Sequence, residues 1–297
     1  MPGYGVTFFD VDGDGRPEIY VSNYRLKPNF LWFYDPKTVL RDRAVELGAA
    51  GMTTHCCGHT IGSSVADFDN DTHLDILVAN FSHPGQNATQ FLRNTGPKRF
   101  QFEDKSDIVK LRWQESYGVA VAGDVDNDGL VDFFLTAVNP PGKRGVDKSV
   151  MYRNLGNWKF EEVTEQSGVS TETTYQAAFA DINGDGFLDL VSGGKVWINR
   201  LGKHPAFAKH RYLKVRLEGS GKSNRLGIGS RVVVKVGEKT FTRQVEAGTG
   251  SGCQNDLTLH FGVGDAAGLA EVKVYWAGGG ESTQRAKLNQ TVVLRRR

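Results

Sequence analysis

Asp10-Val-Asp12-Gly-Asp14-Gly-Arg-Pro-Glu18, Asp67-Phe-Asp69-Asn-Asp71-Thr-His-Leu-Asp75, Asp124-Val-Asp126-Asn-Asp128-Gly-Leu-Val-Asp132 and Asp181-Ile-Asn183-Gly-Asp185-Gly-Phe-Leu-Asp189 are four versions of one segment. Their first aspartates stand at 10, 67, 124 and 181, so every interval is 57 residues. A fixed period of this length means a stack or ring of equivalent supersecondary units. Each acidic segment lies between two apolar runs, for example Val119-Ala-Val-Ala122 before and Phe133-Phe-Leu135 after. Such runs bounded by Gly and Asp read as strands joined by a tight loop. Further runs follow in each unit, among them Phe91-Leu-Arg-Asn94, Val150-Met-Tyr-Arg-Asn154, Val196-Trp-Ile-Asn199 and Phe160-Glu-Glu-Val163. Four short strands per repeat describe a β-propeller blade, in which small residues crowd the innermost strand because those strands converge on the axis. The expected fold is all-β, with four visible blades that form a ring or part of a larger one.

Within each loop an acid or Asn183 stands at positions 1, 3, 5 and 9, and position 7 is free to offer its carbonyl. Hard cations take six to eight oxygens at about 2.3–2.6 Å, which alternate positions of a tight loop can supply. The expected calcium ligands are Asp10, Asp12, Asp14 and Glu18, then Asp67, Asp69, Asp71 and Asp75, then Asp124, Asp126, Asp128 and Asp132, then Asp181, Asn183, Asp185 and Asp189, for about four ions. An EF-hand is excluded, because position 12 is Val21, Val78, Leu135 or Ser192 rather than Glu. The competing reading is four Asx-rich turns without metal, which leaves the repulsion among clustered acids unrelieved.

These repeats resemble the FG-GAP/VCBS repeats of integrin-α-type propellers over residues 1 to 201. Thr72 departs from that pattern, since Gly is usual there, and Glu18 replaces Asp. After residue 210 the period stops and alternating strands follow, such as Tyr212–Leu217, Arg231–Val236 and Val272–Trp276. Alternation signifies half-buried strands, hence a small β-sandwich or barrel. Ser223-Asn-Arg-Leu-Gly-Ile-Gly-Ser-Arg-Val232 and Gly248-Thr-Gly-Ser-Gly-Cys-Gln-Asn255 are similar to the ASPIC/UnbV domain of the cartilage acidic protein family. That family's Tyr-containing stretch is replaced by Ser251-Gly252. The expected division is residues 1–205 for the propeller and 210–297 for the second unit. The resemblance implies a secreted or cell-envelope protein that binds an extracellular protein or glycan and catalyses nothing.

Composition sets further bounds. Gly accounts for 36 of 297 residues and the chain has three Cys, so it is turn-rich without a disulfide framework. No run is long and apolar enough for a membrane span, and Met1-Pro-Gly-Tyr4 is no signal peptide. Residues 1–201 carry 19 Lys and Arg against 27 Asp and Glu, whereas residues 202–297 carry 17 against 7, giving charges of −8 and +10. A basic half is open to a polyanion or is a solvated sheet face, and no nucleic-acid partner is expected.

Blade geometry assigns a second set of residues to the face opposite the acidic loops: His55, Cys56, Cys57, His59, His83, Trp113, Glu115, Tyr117 and Tyr175. Aromatic and polar groups around a channel mouth suit a sugar, a peptide or an acidic side chain, or are simply polar loop caps. His55-Cys-Cys-Gly-His59 combines imidazole with thiol, which suits zinc or copper and a redox or enzymatic role, although a vicinal disulfide or inert thiols fit as well. No nucleophile–base set or phosphate loop is present. Finally, the fourth unit lacks a clear fourth strand, so the ring is expected to be incomplete or to be closed by a strand near Tyr212–Leu217.

Overall fold

The computed structural model describes residues 3–53, 57–139, 147–169, 171 and 173–296. Each acidic loop joins the first two strands of an antiparallel sheet. The first sheet has β1 (Gly3–Phe9), β2 (Glu18–Asn23), β3 (Phe30–Asp35) and β4 (Val39–Asp42) in order. The second has β5 (His59–Ala66), β6 (Asp75–Phe81), β7 (Gln90–Asn94) and β8 (Phe102–Asp104). The third has β9 (Tyr117–Gly123), β10 (Asp132–Ala137), β11 (Val150–Asn154) and β12 (Phe160–Glu162). The fourth has three strands, β13 (Ala177–Ala180), β14 (Asp189–Ser192) and β15 (Lys195–Trp197).

Register is the same in all four: Phe9 pairs with Glu18, Ala66 with Asp75, Gly123 with Asp132 and Ala180 with Asp189. The ninth loop residue thus faces the residue just before the first aspartate, which closes every loop at one size. Aromatic side chains fill the space between sheets two and three, where Phe68, Phe91 and Phe133 are fully buried with ring centroids 5.2–6.4 Å apart. Burying rings of this size contributes about 1.5–3 kcal/mol each.

The second unit is a sandwich. One sheet has β16 (Arg211–Glu218) between β20 (Leu259–Gly264) and β23 (Thr291–Arg295). The other has β18 (Lys239–Gln244), β17 (Arg231–Val236), β21 (Leu269–Tyr275) and β22 (Glu281–Lys287). Alternate residues Leu213, Val215, Leu217, Val232, Val234, Phe261, Val272, Val274 and Trp276 form its own buried core.

The expected closing strand near Tyr212–Leu217 is not used, because β16 is held in the sandwich by β20 and β23. Instead β19 (Ala247–Gly250) leaves the second unit and pairs with β1, placing Gly250 opposite Val6 and Ala247 opposite Phe8. It also packs against β5 and β9, while β1 packs on β5, β5 on β9 and β9 on β13. The strand fits because the approach is glycine to glycine. A Cβ on Gly250, whose φ is +104°, would fall 2.9 Å from the Gly62 Cα, and one on Gly5 would fall 2.7 Å from the Ile61 carbonyl. The inner edge of the first blade is therefore covered by a strand of the second unit.

Candidate metal centre

The four loops share one hydrogen-bond pattern. The position-1 carboxylate accepts from the position-6 amide, as Asp10 from Gly15 at 3.0 Å, Asp67 from Thr72 at 3.0 Å, Asp124 from Gly129 at 2.9 Å and Asp181 from Gly186 at 3.0 Å. Position 3 accepts from position 5, position 5 from position 7, and position 9 from position 2, shown in the third loop by Asp128 to Asp126, Leu130 to Asp128 and Val125 to Asp132 at 2.8–3.1 Å. Each side chain spends an oxygen on folding its own loop, and the pattern requires left-handed backbone at positions 4 and 6. These are Gly13 and Gly15, Asn70 and Thr72, Asn127 and Gly129, and Gly184 and Gly186, with φ between +56° and +97°.

Three loops gather carboxylates. Oxygens of Asp10, Asp12 and Glu18, of Asp67, Asp69 and Asp71, and of Asp124, Asp126 and Asp132 lie within 4.8 Å of one another, and these groups could hold an ion. Buried Oδ1 atoms of Asp67, Asp124 and Asp181 have no hydrogen-bond partner, which is costly unless a ligand satisfies them. Burial, with the neighbouring acids adding to it, pushes Asp10 up to about 6, Asp67 to about 7 and Glu18 to about 9, and holds Asp75, Asp124 and Asp132 well above the usual range. A divalent cation would reverse that penalty. The donor set, all oxygen and mostly carboxylate, fits a hard cation such as calcium.

Basic side chains partly offset the charge. Arg93 bridges Asp69 at 2.7 Å and Asp71 at 2.8 Å. The Arg153 Nη2 is 3.4 Å from Asp128, whereas its Nε stands 2.5 Å from Asp126 Oδ2 but out of line, so those two atoms make no hydrogen bond. The other cations come from the second unit. Lys214 engages Asp181, Arg231 acts on Asp10, and Arg243 acts on Asp67, Asp124 and Asp132. The sandwich thus packs on part of the acidic face of the propeller, where part of the +10 half meets the −8 half. All three are only partly exposed, Lys214 to 17%.

The profile of the FG-GAP-like repeat matches residues 10–78, 67–135 and 124–192, which together cover most of the propeller. The chain belongs to the FG-GAP-like repeat family. Residues 219–297 match the ASPIC and UnbV profile. Among curated proteins the chain is similar to cartilage acidic protein 1 of Xenopus tropicalis, 26% identical over 91% of this chain and 41% of that protein, and of Homo sapiens, 24% identical over 93% and 41%. It spans about two fifths of the length of these relatives. Among solved structures, an Agrocybe aegerita lectin described as recognising non-reducing terminal N-acetylglucosamine aligns over 96% of this chain and 80% of its own, with 15% identity and a TM-score of 0.39.

The opposite face of this FG-GAP chain is only partly as expected. Tyr4, Tyr24, His59 and His83 form a file of rings with successive centroids 5.0, 4.6 and 5.9 Å apart, and His83 Nδ1 lies 3.5 Å from Glu115. Tyr175 and Trp113 are exposed. Tyr117 is not at the surface: it is buried between sheets two and three, with its hydroxyl donating to the Arg112 carbonyl. Cys57 is buried and disulfide-bonded, so it offers no thiolate to zinc or copper. His55 and Cys56 lie outside the described residues. Among the described residues the metal-competent groups are the three acidic ones.

Sequence reasoning missed three amides that fasten the loops together. The Asn94 Nδ2 donates to Val11 and Leu74 carbonyls, Asn154 to Phe68 and Val131, and Asn199 to Val125 and Leu188, each thereby joining two blades. Their signal is an Asn ending the third apolar run of three units.

Proposed function

We propose that the chain is a calcium-stabilised propeller that serves as a non-catalytic ligand-binding or adhesion module of an extracellular protein. The observation that carries this reading is the set of buried loop carboxylates whose inward Oδ1 atoms, at Asp67 and Asp124, have no partner. Calcium supplies the charge and the oxygen-seeking coordination that these groups lack. The ions take the first three loops, where three carboxylates converge. In the fourth, Lys214 already places a positive charge on Asp181. Kinship with cartilage acidic protein 1 supports the extracellular setting, where millimolar calcium matches loops of modest affinity. The ring file at Tyr4, Tyr24, His59 and His83, with Tyr175 beside it, is the ligand face for a protein or glycan.

Titration calorimetry with calcium tests the site, and thermal unfolding with and without chelator tests its structural role. An ion at about 100 times its Kd adds roughly 2.7 kcal/mol. Replacing Asp126 and Asp128 by Ala removes the third loop's share. Absence of binding at millimolar calcium, with melting indifferent to chelator, defeats the assignment.

A further inference from the structure

The third loop is enclosed on every side that the second unit can reach. The Gly264 amide donates to the Asn127 carbonyl at 2.7 Å, and His210 Nδ1 sits 2.6 Å from the Asp126 carbonyl. Phe241 lies against Gly129, and Gly262 is pressed so closely on the loop that a Cβ there would fall 2.1 Å from Asp124 Oδ2. On the outer side Arg153 closes over Asp126 and Asp128, and its guanidinium is in turn covered by the Phe207 ring at 5.2 Å. Asp124, Asp126 and Asp132 are each no more than 1% exposed.

The first loop has the same backbone, and Asp10 and Glu18 are again buried, but its outer side is open. Asp14 is exposed, and Asp12, Asp14 and Glu18 line an open cleft of about 300 Å³ together with Arg16, Arg41 and Arg43. The second unit touches this loop only from beneath, through Gln244 on the Asp10 amide at 3.0 Å, Arg231 beside Gly13, and Gly229 against Pro17. No side chain of the sandwich lies among those lining the cleft.

We infer that the loops hold two kinetically distinct ions: that of the third loop is locked under the sandwich and leaves only when β20 and His210 lift away, while that of the first exchanges directly with solvent. The inference rests on calcium being the ion of these loops. An enclosed ion must wait for an opening of the joint, and openings of packed interfaces are slow and drawn from the stability of the contacts that must break. The ion of the first loop needs no such event.

The test is release of calcium from the loaded full chain into excess fluorescent chelator, followed by stopped flow and calibrated in equivalents. At least two phases are expected, the fast one including one equivalent from the first loop. Replacing Asp12 and Asp14 by Asn removes that equivalent from the fast phase and leaves the slow rate unchanged. His210→Ala, and separately Phe207→Ala, which uncovers Arg153, accelerates the slow phase by about tenfold, as the loss of one contact worth about 1.4 kcal/mol allows, without altering the fast one. Release in a single fast phase, or a slow phase indifferent to both cap variants, overturns the lock. A protein that binds no calcium at equilibrium overturns the calcium reading instead.

Discussion

Thr72 is the residue at which the loop pattern is under most strain. It holds φ +77° where the other three loops have Gly, yet its amide still donates to Asp67 as theirs do to their aspartates. The left-handed region costs a β-branched residue about 1–2 kcal/mol, and Gly loses about 0.5–1 kcal/mol more than Ala in conformational entropy on folding. Thr72→Gly therefore stabilises by about 0.5–1 kcal/mol, read as a raised urea midpoint with unchanged slope. Glu246 gives a second prediction at this scale. Burial pushes its carboxyl up to about 8, with an Asn255 hydrogen bond opposing. The folded state thus keeps a proton that the unfolded state releases near pH 4.5, so this group's share of stability falls as pH rises from about 4.5 to 8, by up to about 1.4 kcal/mol per unit. Glu246→Gln should flatten that slope in unfolding measured across the range.

At the level of strands and loops, the period of 57 residues carried most of the architecture. It located the loops, their flanking strands and the equivalence of the blades, because Asp, Gly and β-branched residues have local conformational meanings. The side chains that hold one blade to the next were not legible, since Asn154 reads like any polar strand end until Phe68 is known to lie beside it. Its Nδ2 serves two buried carbonyls at 2.9 and 3.0 Å, and its amide reaches Asp132 at 2.8 Å. Asn154→Ala leaves those carbonyls unsatisfied at about 1–3 kcal/mol each. A loss of roughly 3 kcal/mol is expected in denaturant unfolding, with β11 otherwise intact by its amide exchange. Which side chains reach the opposite face was not legible either. Alternation along a strand does not say which neighbour covers a residue, so Tyr117 looked like a rim aromatic although its ring fills the space between two sheets.

For the molecule as a whole, the two halves of unlike charge proved to be partners of each other at Lys214, Arg231 and Arg243. The propeller also borrows β19, without which the inner edge of β1 has unpaired amides and Gly5 and Gly62 face a gap. A chain ending at residue 208 is therefore expected to lose cooperative unfolding and to associate through that edge, checked by sedimentation and calorimetry. Borrowing a strand also orders events in time. Val6 pairs with Gly250, and the segment between them must be synthesised before either finds the other. At about 5–20 residues per second, the first blade waits roughly 12–50 s on the ribosome with an open edge. Blades two and three can assemble meanwhile from neighbours in sequence, whereas closure of the first must await β19. A nascent chain of this design is most exposed to mispairing during that interval, and chaperone dependence should be concentrated there.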